Sequence, residues 1–164
     1  PNPVNNIATD SDPVSPKEKI DVVKAAGVPK QVGPKVFEVD YSVVVANVCK
    51  ASPLSCATTP TVFNVQANDY LPNTFPTASS IVVSNYAVAN GANGASCFAA
   101  TTAYKGTSAA SAMLSGTTDL SGGQTCIITF KATVDFGANP VPTIAHINTV
   151  DASGAHTDAT ANPG

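Results

Sequence analysis

Apolar and polar residues alternate with a period of two along four long runs, which is the pattern of half-buried β-strands. The runs cover residues 35–48, 61–71, 80–88 and 125–135. In the first run one face is entirely apolar or aromatic: Phe37, Val39, Tyr41, Val43 and Val45. In the second, Val62, Asn64, Gln66 and Asn68 oppose Phe63, Val65, Ala67 and Asp69. Weaker patterns predict strands over residues 19–24, 144–151 and 156–161.

Clusters of Gly, Pro, Asn and Ser separate these runs, at residues 50–60, 71–76, 90–96, 120–124 and 135–142. Such residues favour turns. No segment has a compelling helical pattern, and we expect residues 107–114 to form a loop. Short strands divided by turns predict an all-β sandwich or barrel.

The charge distribution divides the chain into two parts. Of 164 residues only 19 are charged, 8 Lys and 11 Asp or Glu, and 11 of the 19 lie in residues 1–40. We therefore expect residues 1–18 to be a linker, or a strand that belongs to a preceding repeat or complements it, and residues 19–164 to form the sandwich. The absence of Arg and a net charge of −3 argue against a nucleic-acid partner. No apolar run reaches the ~20 residues that a membrane helix needs.

The two ends of the chain are similar to each other. The segment that starts Val4-Asn5 resembles the one that starts Ile147-Asn148, as expected if the chain spans part of a tandem array. We expect Val4, Asn5, Ile7 and Thr9 to be candidates for strand exchange with a neighbouring subunit. The chain begins without an initiator Met, so we expect it to be processed or excised from a longer one.

The four cysteines, Cys49, Cys56, Cys97 and Cys126, are spaced too widely for a zinc knuckle or a redox CxxC pair. Three disulfide pairings are open, and the simplest joins Cys49 to Cys56 and Cys97 to Cys126. Disulfides would indicate an oxidising compartment. The alternative is four buried thiols in a cytosolic protein.

Candidate metal sites are sparse. His146 and His156, with Asp151 or Asp158, could form a site on a hairpin, but two surface histidines are the favoured interpretation. An Asp10-Ser11-Asp12 motif offers too few ligands for calcium. We expect no metal, no cofactor and no enzymatic activity.

Other polar and aromatic residues receive structural interpretations. We expect Asn68-Asp69 to form a turn whose side chains bond nearby backbone N–H groups. A Lys–Asn isopeptide bond would need a buried lysine, for which Lys131 is the only attractive candidate, and we expect Lys131 to face solvent instead. The tyrosines are scattered in sequence and Trp is absent, which makes a carbohydrate-stacking surface poor.

The ordered motifs nevertheless resemble a known family. They are the strand ending in Lys24, the segment Phe63-Asn64-Val65-Gln66-Ala67-Asn68-Asp69-Tyr70-Leu71-Pro72, the segment Asp119-Leu120-Ser121-Gly122-Gly123, and Ile147-Asn148-Thr149-Val150. Their order resembles the repeat of bacterial surface proteins named domain of unknown function eleven, over residues 19–161. The inserted loop at residues 50–60 departs from that family's pattern. The resemblance implies an immunoglobulin-like β-sandwich of about seven to nine strands with an extended N-terminal segment, and no catalytic residues.

The expected function is a structural repeat of an extracellular bacterial surface fibre or adhesin stalk, which associates with copies of itself or with neighbouring repeats. The alternative is an adhesive module that binds a carbohydrate, a host protein or another surface ligand through the loops at residues 71–76 and 90–96. Membrane insertion is not expected in either case.

Overall fold

A computed structural model describes residues 20–48, 59–100, 102–108, 111–143 and 147–155. Two antiparallel sheets pack face to face, which confirms the all-β sandwich. Eight strands are present in the described residues: β1 Ile20–Ala26, β2 Lys30–Gly33, β3 Val36–Asn47, β4 Val62–Asn68, β5 Ser80–Asn90, β6 Thr118–Leu120, β7 Thr125–Asp135 and β8 Asp151–Ala155. A four-residue helix, α1 Leu71–Thr74, follows β4.

The larger sheet has the order β1-β3-β7-β5, with β2 also paired to β3. Its two central strands carry the strongest alternation in the sequence, and the predicted inward faces are confirmed. Both strands bury one face against the second sheet, and the hydrophobic residues that are 5 % exposed or less are Val39, Tyr41, Val43 and Val45 in β3 and Cys126, Ile128, Phe130, Ala132 and Val134 in β7. Phe37, at the start of β3, is only partly buried. Tyr41 stands opposite Phe130 in this pairing, and their rings stack at 5.0 Å.

β1 and β2 lie one after the other along the same edge of β3. The interruption falls at residues 27–29, where Gly27 still donates its N–H to the carbonyl of Asp40. Pro29 has no N–H to donate, so the ladder breaks there and resumes at Lys30. This edge brings the inward face of β1 over the aromatic residues of β3.

The smaller sheet has the order β6-β4-β8. Its central strand contains a bulge at Asn64, where φ is 54° and the register shifts. The bulge puts both Val62 and Val65 in the core, so the prediction that they lie on opposite faces of the strand was wrong. β8 approaches β4 closely at Gly154, where a Cβ would lie 2.3 Å from a methyl of Val62.

The described chain enters and leaves the sandwich at the same end. Ile20 pairs with Asn47, whose Nδ2 donates to the carbonyl oxygen of Leu120 at 2.8 Å. Leu120 pairs with the start of β4, and there Phe63 pairs with Ala155. The start of β1 and the end of β8 are therefore neighbours. β1 runs from this end of the sandwich towards the α1 end, and β8 runs back from the α1 end.

Two sequence expectations about elements need correction. The predicted strand over residues 144–151 is misplaced, because residues 147–150 are not a strand and β8 begins at Asp151. The short strands β2 and β6 and the helix α1 were not predicted, since each has only three or four residues. The strand expected over residues 156–161 lies outside the described residues.

Candidate functional site

A lysine and an aspartate meet inside the sandwich. Lys24 follows Ile20 and Val22 on the inward side of β1, and Asp69 directly follows β4 on the same side as Val65 and Ala67. Their side chains are only 6 % and 0 % exposed, and Lys24 Nζ donates to Asp69 Oδ2. The prediction that the Asn68 or Asp69 side chain bonds nearby backbone N–H groups does not hold for Asp69, because its Oδ2 accepts from Lys24 and its Oδ1 has no well-formed hydrogen bond among the described residues.

An aromatic cluster surrounds this pair. The Nζ of Lys24 lies 4.6 Å from the ring centroid of Tyr41 and 5.4 Å from that of Phe130. Tyr104 packs edge-on against Phe130 at 5.0 Å, and Tyr86 lies 5.8 Å from Tyr104. Three tyrosines that are scattered in the sequence are thus neighbours in the fold. Ring faces attract a cation, while the apolar ring area withholds water from it.

The loop at residues 102–108 closes the cluster from one side. Tyr104 is buried, and its hydroxyl donates to the backbone carbonyl of Asp69. Gly106 accepts a hydrogen bond from the N–H of Leu71. A Cβ at Gly106 would lie 2.6 Å from Leu71 Cδ1, and its φ of 68° also disfavours other residues. This glycine therefore allows the close approach that holds Tyr104 over the aspartate.

An asparagine side chain completes the buried polar group. The pairing of Asn68 with Asp151 places the preceding segment, residues 147–150, beside Asp69. Asn148 lies in this segment, close enough to the Tyr41 phenol to act on its pKa. Yet both polar side-chain atoms of Asn148 are buried, and neither has a well-formed hydrogen bond among the described residues; the same holds for Asp69 Oδ1. We call Lys24, Asp69 and Asn148 the Lys24 cluster.

Burial controls the protonation of this cluster. Burial lowers the pKa of Lys24, and the hydrogen bond and charge of Asp69 oppose that shift. Burial likewise raises the pKa of Tyr41, and raises that of Tyr104 strongly, with a further increase from the charge of Asp69. The low-polarity surroundings favour uncharged forms, so a neutral amine on Lys24 is more accessible than on a lysine in water.

Lys131, the lysine singled out from the sequence for an isopeptide bond, lies elsewhere. It sits on the outer face of β7, where its side chain is 27 % exposed and its Nζ lies 2.9 Å from Glu38 Oε2. The charge and hydrogen bond of Glu38 raise the pKa of Lys131. Lys131 is therefore an ordinary surface cation, and among the described residues the lysine with a buried side chain is Lys24.

Cys97 forms a disulfide with Cys126, as one of the three open pairings anticipated. This disulfide joins the loop after β5 to the start of β7. Cys49 and Cys56 lie outside the described residues. A disulfide is compatible with an extracellular protein.

The remaining candidates do not form a site in the described part of the chain. Val4, Asn5, Ile7, Thr9, His146 and His156 lie outside it. Its residues contain no group of three or more His, Cys, Asp or Glu that could hold a metal ion. The loops at residues 71–76 and 90–96 lie at opposite ends of the sandwich, since Phe75 lines a groove with Phe136 whereas Asn90 pairs with Cys126. They do not form one binding surface.

The cluster was missed although the sequence contains a signal for it. Lys24, Asp69 and Asn148 each continue an inward apolar alternation: after Ile20 and Val22, after Val65 and Ala67, and before Val150 and Ala152. A polar residue at an inward position of a strand pattern is either an error in the pattern or a buried polar group. Three such residues in one chain indicate a buried cluster.

In comparisons with known proteins, no family model matches the chain. No curated protein and no solved structure matches it either. No helix among the described residues is both long and apolar enough to cross a membrane.

Proposed function

We propose that this chain is a structural module of an extracellular bacterial surface fibre or adhesin stalk, and that it associates with its own copies through β-strand contacts. The observation that carries the proposal is the closed Lys24 cluster. Its charged groups are buried and face each other instead of lining an open pocket, as groups acting on a ligand would. The resemblance to the surface-protein repeat points in the same direction.

The position of the cluster suits a mechanical role. Lys24 belongs to the first described strand, and Asn148 lies just before the last one. Tension applied at Ile20 and at Ala155 would detach β1 and β8 from the sheets, starting at these two residues. The cluster lies further along both paths, so separation of the two outer elements would have to break it.

The edge strand β5 supports self-association. It is 11 residues long, contains neither a charged residue nor a proline, and ends the larger sheet among the described residues. Long uncharged edges are templates for strand pairing, and proteins commonly block them with lysine or proline. A single bulge at Asn85 interrupts this one. We propose that the segment Val4-Asn5-Asn6-Ile7-Ala8-Thr9 of another copy pairs with this edge.

Sedimentation and negative-stain electron microscopy of the full chain over a range of concentrations test this proposal. We expect filaments or a concentration-dependent polymer, and loss of both when residues 1–12 are deleted. Val82→Lys on β5 should reduce assembly, whereas Val23→Lys on β1 should not. These two valines form a matched pair, since they are 58 % and 61 % exposed on outer strands of the same sheet.

Two outcomes would overturn the proposal. One is a monomer at every concentration, and the other is unchanged polymer after the deletion. A specific hit on a glycan or host-protein array, abolished by substitutions in one loop, would favour the adhesive alternative instead.

A further inference from the structure

A buried carboxamide without well-formed hydrogen bonds needs a physical explanation. Burying an amide without compensating hydrogen bonds costs on the order of 1–3 kcal/mol by protein mutational data. Another buried asparagine in this fold shows the usual solution, because the Nδ2 of Asn47 donates to the carbonyls of Pro60 and Leu120, both at 2.8 Å. The Nδ2 of Asn148 makes no such bond, yet its side chain lies near the Tyr41 hydroxyl, and the Lys24 amine sits over the ring of the same tyrosine.

We propose that Lys24 and Asn148 form an intramolecular isopeptide bond, with Asp69 transferring the protons. The bond would link the first described strand to the segment that precedes the last one. It explains why the carboxamide nitrogen of Asn148 has no well-formed hydrogen bond, since the reaction removes that nitrogen. This inference is independent of self-assembly and holds for a monomer as well as for a fibre.

The reaction balances without an added reagent. Asp69 takes a proton from the Lys24 ammonium, and the neutral Nζ attacks Cγ of Asn148. A new C–N bond forms to Nζ, and the bond from Cγ to Nδ2 breaks. Lys24 gives up two protons, and Asp69 carries them to the departing nitrogen, which leaves as ammonium. One amide replaces another, nothing is oxidised or reduced, and the Asp69 carboxylate is regenerated.

The surroundings of the cluster suit each step. Burial among Tyr41, Phe130 and Tyr104 disfavours the charged amine, and a desolvated lysine is an activated nucleophile. Asp69 Oδ2 accepts a hydrogen bond from the amine. Oδ1 has no well-formed hydrogen bond and can therefore accept the second proton. Both reacting side chains belong to one packed sandwich. The fold holds the two groups together and supplies the high effective concentration that amide exchange requires.

The first test is the intact mass of the full chain after reduction and denaturation. We expect a mass lower than that of the sequence by one ammonia. Trypsin should then yield a branched peptide. One arm should be residues 20–30, uncleaved at Lys24. The other arm should be the peptide that begins at residue 132, because the chain has no Arg and no Lys after Lys131.

Variants assign the roles. Asp69→Ala, Lys24→Arg and Asn148→Ala should all show the full sequence mass, whereas the surface control Glu38→Ala should keep the ammonia deficit. Asn148→Ala leaves the Lys24–Asp69 pair intact and so serves if the other two variants do not fold. Circular dichroism reports folding for each.

Three results would overturn the proposal. The first is a full sequence mass for the wild-type chain. The second is a deficit of one water with Lys24 joined to Asp69. The third is an ammonia deficit that maps to Asn90 or Asn93, since both precede glycine and such sites lose ammonia by forming a succinimide.

Discussion

The two ion pairs of the described residues combine the same kinds of group in opposite surroundings. Lys24 and Asp69 are 6 % and 0 % exposed, whereas Lys131 and Glu38 are 27 % and 31 % exposed. Burial lowers the pKa of Lys24, while the neighbouring carboxylate raises that of Lys131. The comparison teaches that the location of a lysine, and not the presence of a partner, decides whether its amine can react.

The buried pair is also the less expected of the two on energetic grounds. Removing two charges from water costs several kcal/mol per ion, and a hydrophobic pair of the same volume is often equally stable. The surface pair avoids this cost. Ion pairing alone therefore gives little reason to bury Lys24 and Asp69 beside a carboxamide. The proposed Lys24–Asn148 bond gives the buried pair a chemical role.

The largest expected effect is that of Asp69→Ala. It leaves Lys24 buried without its carboxylate, which costs about 3–5 kcal/mol, and it also prevents the bond. Closing a loop between Lys24 and Asn148 would itself contribute about 5 kcal/mol by loop-closure entropy. Urea unfolding should therefore show the variant to be less stable by at least the first amount. A loss below 1 kcal/mol, equal to that of Glu38→Ala, would remove the distinction between the two pairs.

Loss of the disulfide should have the next largest effect. The double variant Cys97→Ser and Cys126→Ser opens a loop with a sequence separation of 29, for which loop-closure entropy gives about 3.6 kcal/mol. Chemical unfolding measures the difference. The ammonia deficit should persist in the variant, because the disulfide lies at the start of β7, whereas the Lys24 amine lies over Phe130 in the middle of that strand. A deficit that disappeared with the disulfide would show that the two sites are coupled.

Alkaline pH probes the aromatic surroundings of the buried pair. Burial raises the pKa of Tyr104, Tyr41 and Tyr86 above the ordinary 10.0. Above that pH the unfolded chain releases phenol protons that the folded chain keeps, so the free energy of unfolding should fall as pH rises. Tyr104→Phe should flatten this dependence and cost about 0.5–1.5 kcal/mol at pH 7 through its lost hydrogen bond. Equal slopes for wild type and variant would show that Tyr104 ionises normally.

The smallest effect should come from the surface pair. Glu38→Gln is expected to lower the free energy of unfolding only slightly, and the loss should shrink further in molar salt because exposed charges are screened. Thermal unfolding at two salt concentrations measures both quantities. A salt-independent loss of several kcal/mol would place this pair in the same class as the buried one.

Much of the fold could be predicted because its long strands bury one face. The alternation in β3 and β7 gives both the strands and their inward residues. The bulges at Asn64 and Asn85 could not be predicted. A positive φ at a single asparagine changes which face of the sheet the following residues occupy, but it leaves no mark in the alternation of apolar and polar residues on either side. The very short strands β2 and β6 carry too few residues for a period to show.

The candidate site was predictable only in part. Lys24 and Asp69 lie on the inward side of their strands, which is visible in the sequence. Their contact joins residues 45 positions apart, and the proximity of Asn148 to Tyr41 joins residues more than 100 positions apart. Both depend on how the two sheets pack. Sequence reasoning named Lys131 as the only attractive lysine because it lies inside a strand, and it expected that side chain to face solvent; Lys24 was not considered.

Lysine labelling of the denatured, reduced chain tests the central claim most directly. A reagent that converts only lysine side-chain amines should modify seven of the eight lysines in the wild type, including Lys131, and leave Lys24 unmodified because its nitrogen is already an amide. The Asp69→Ala variant should carry eight labels. Eight labels on the wild-type chain, with Lys24 among them, would contradict the account.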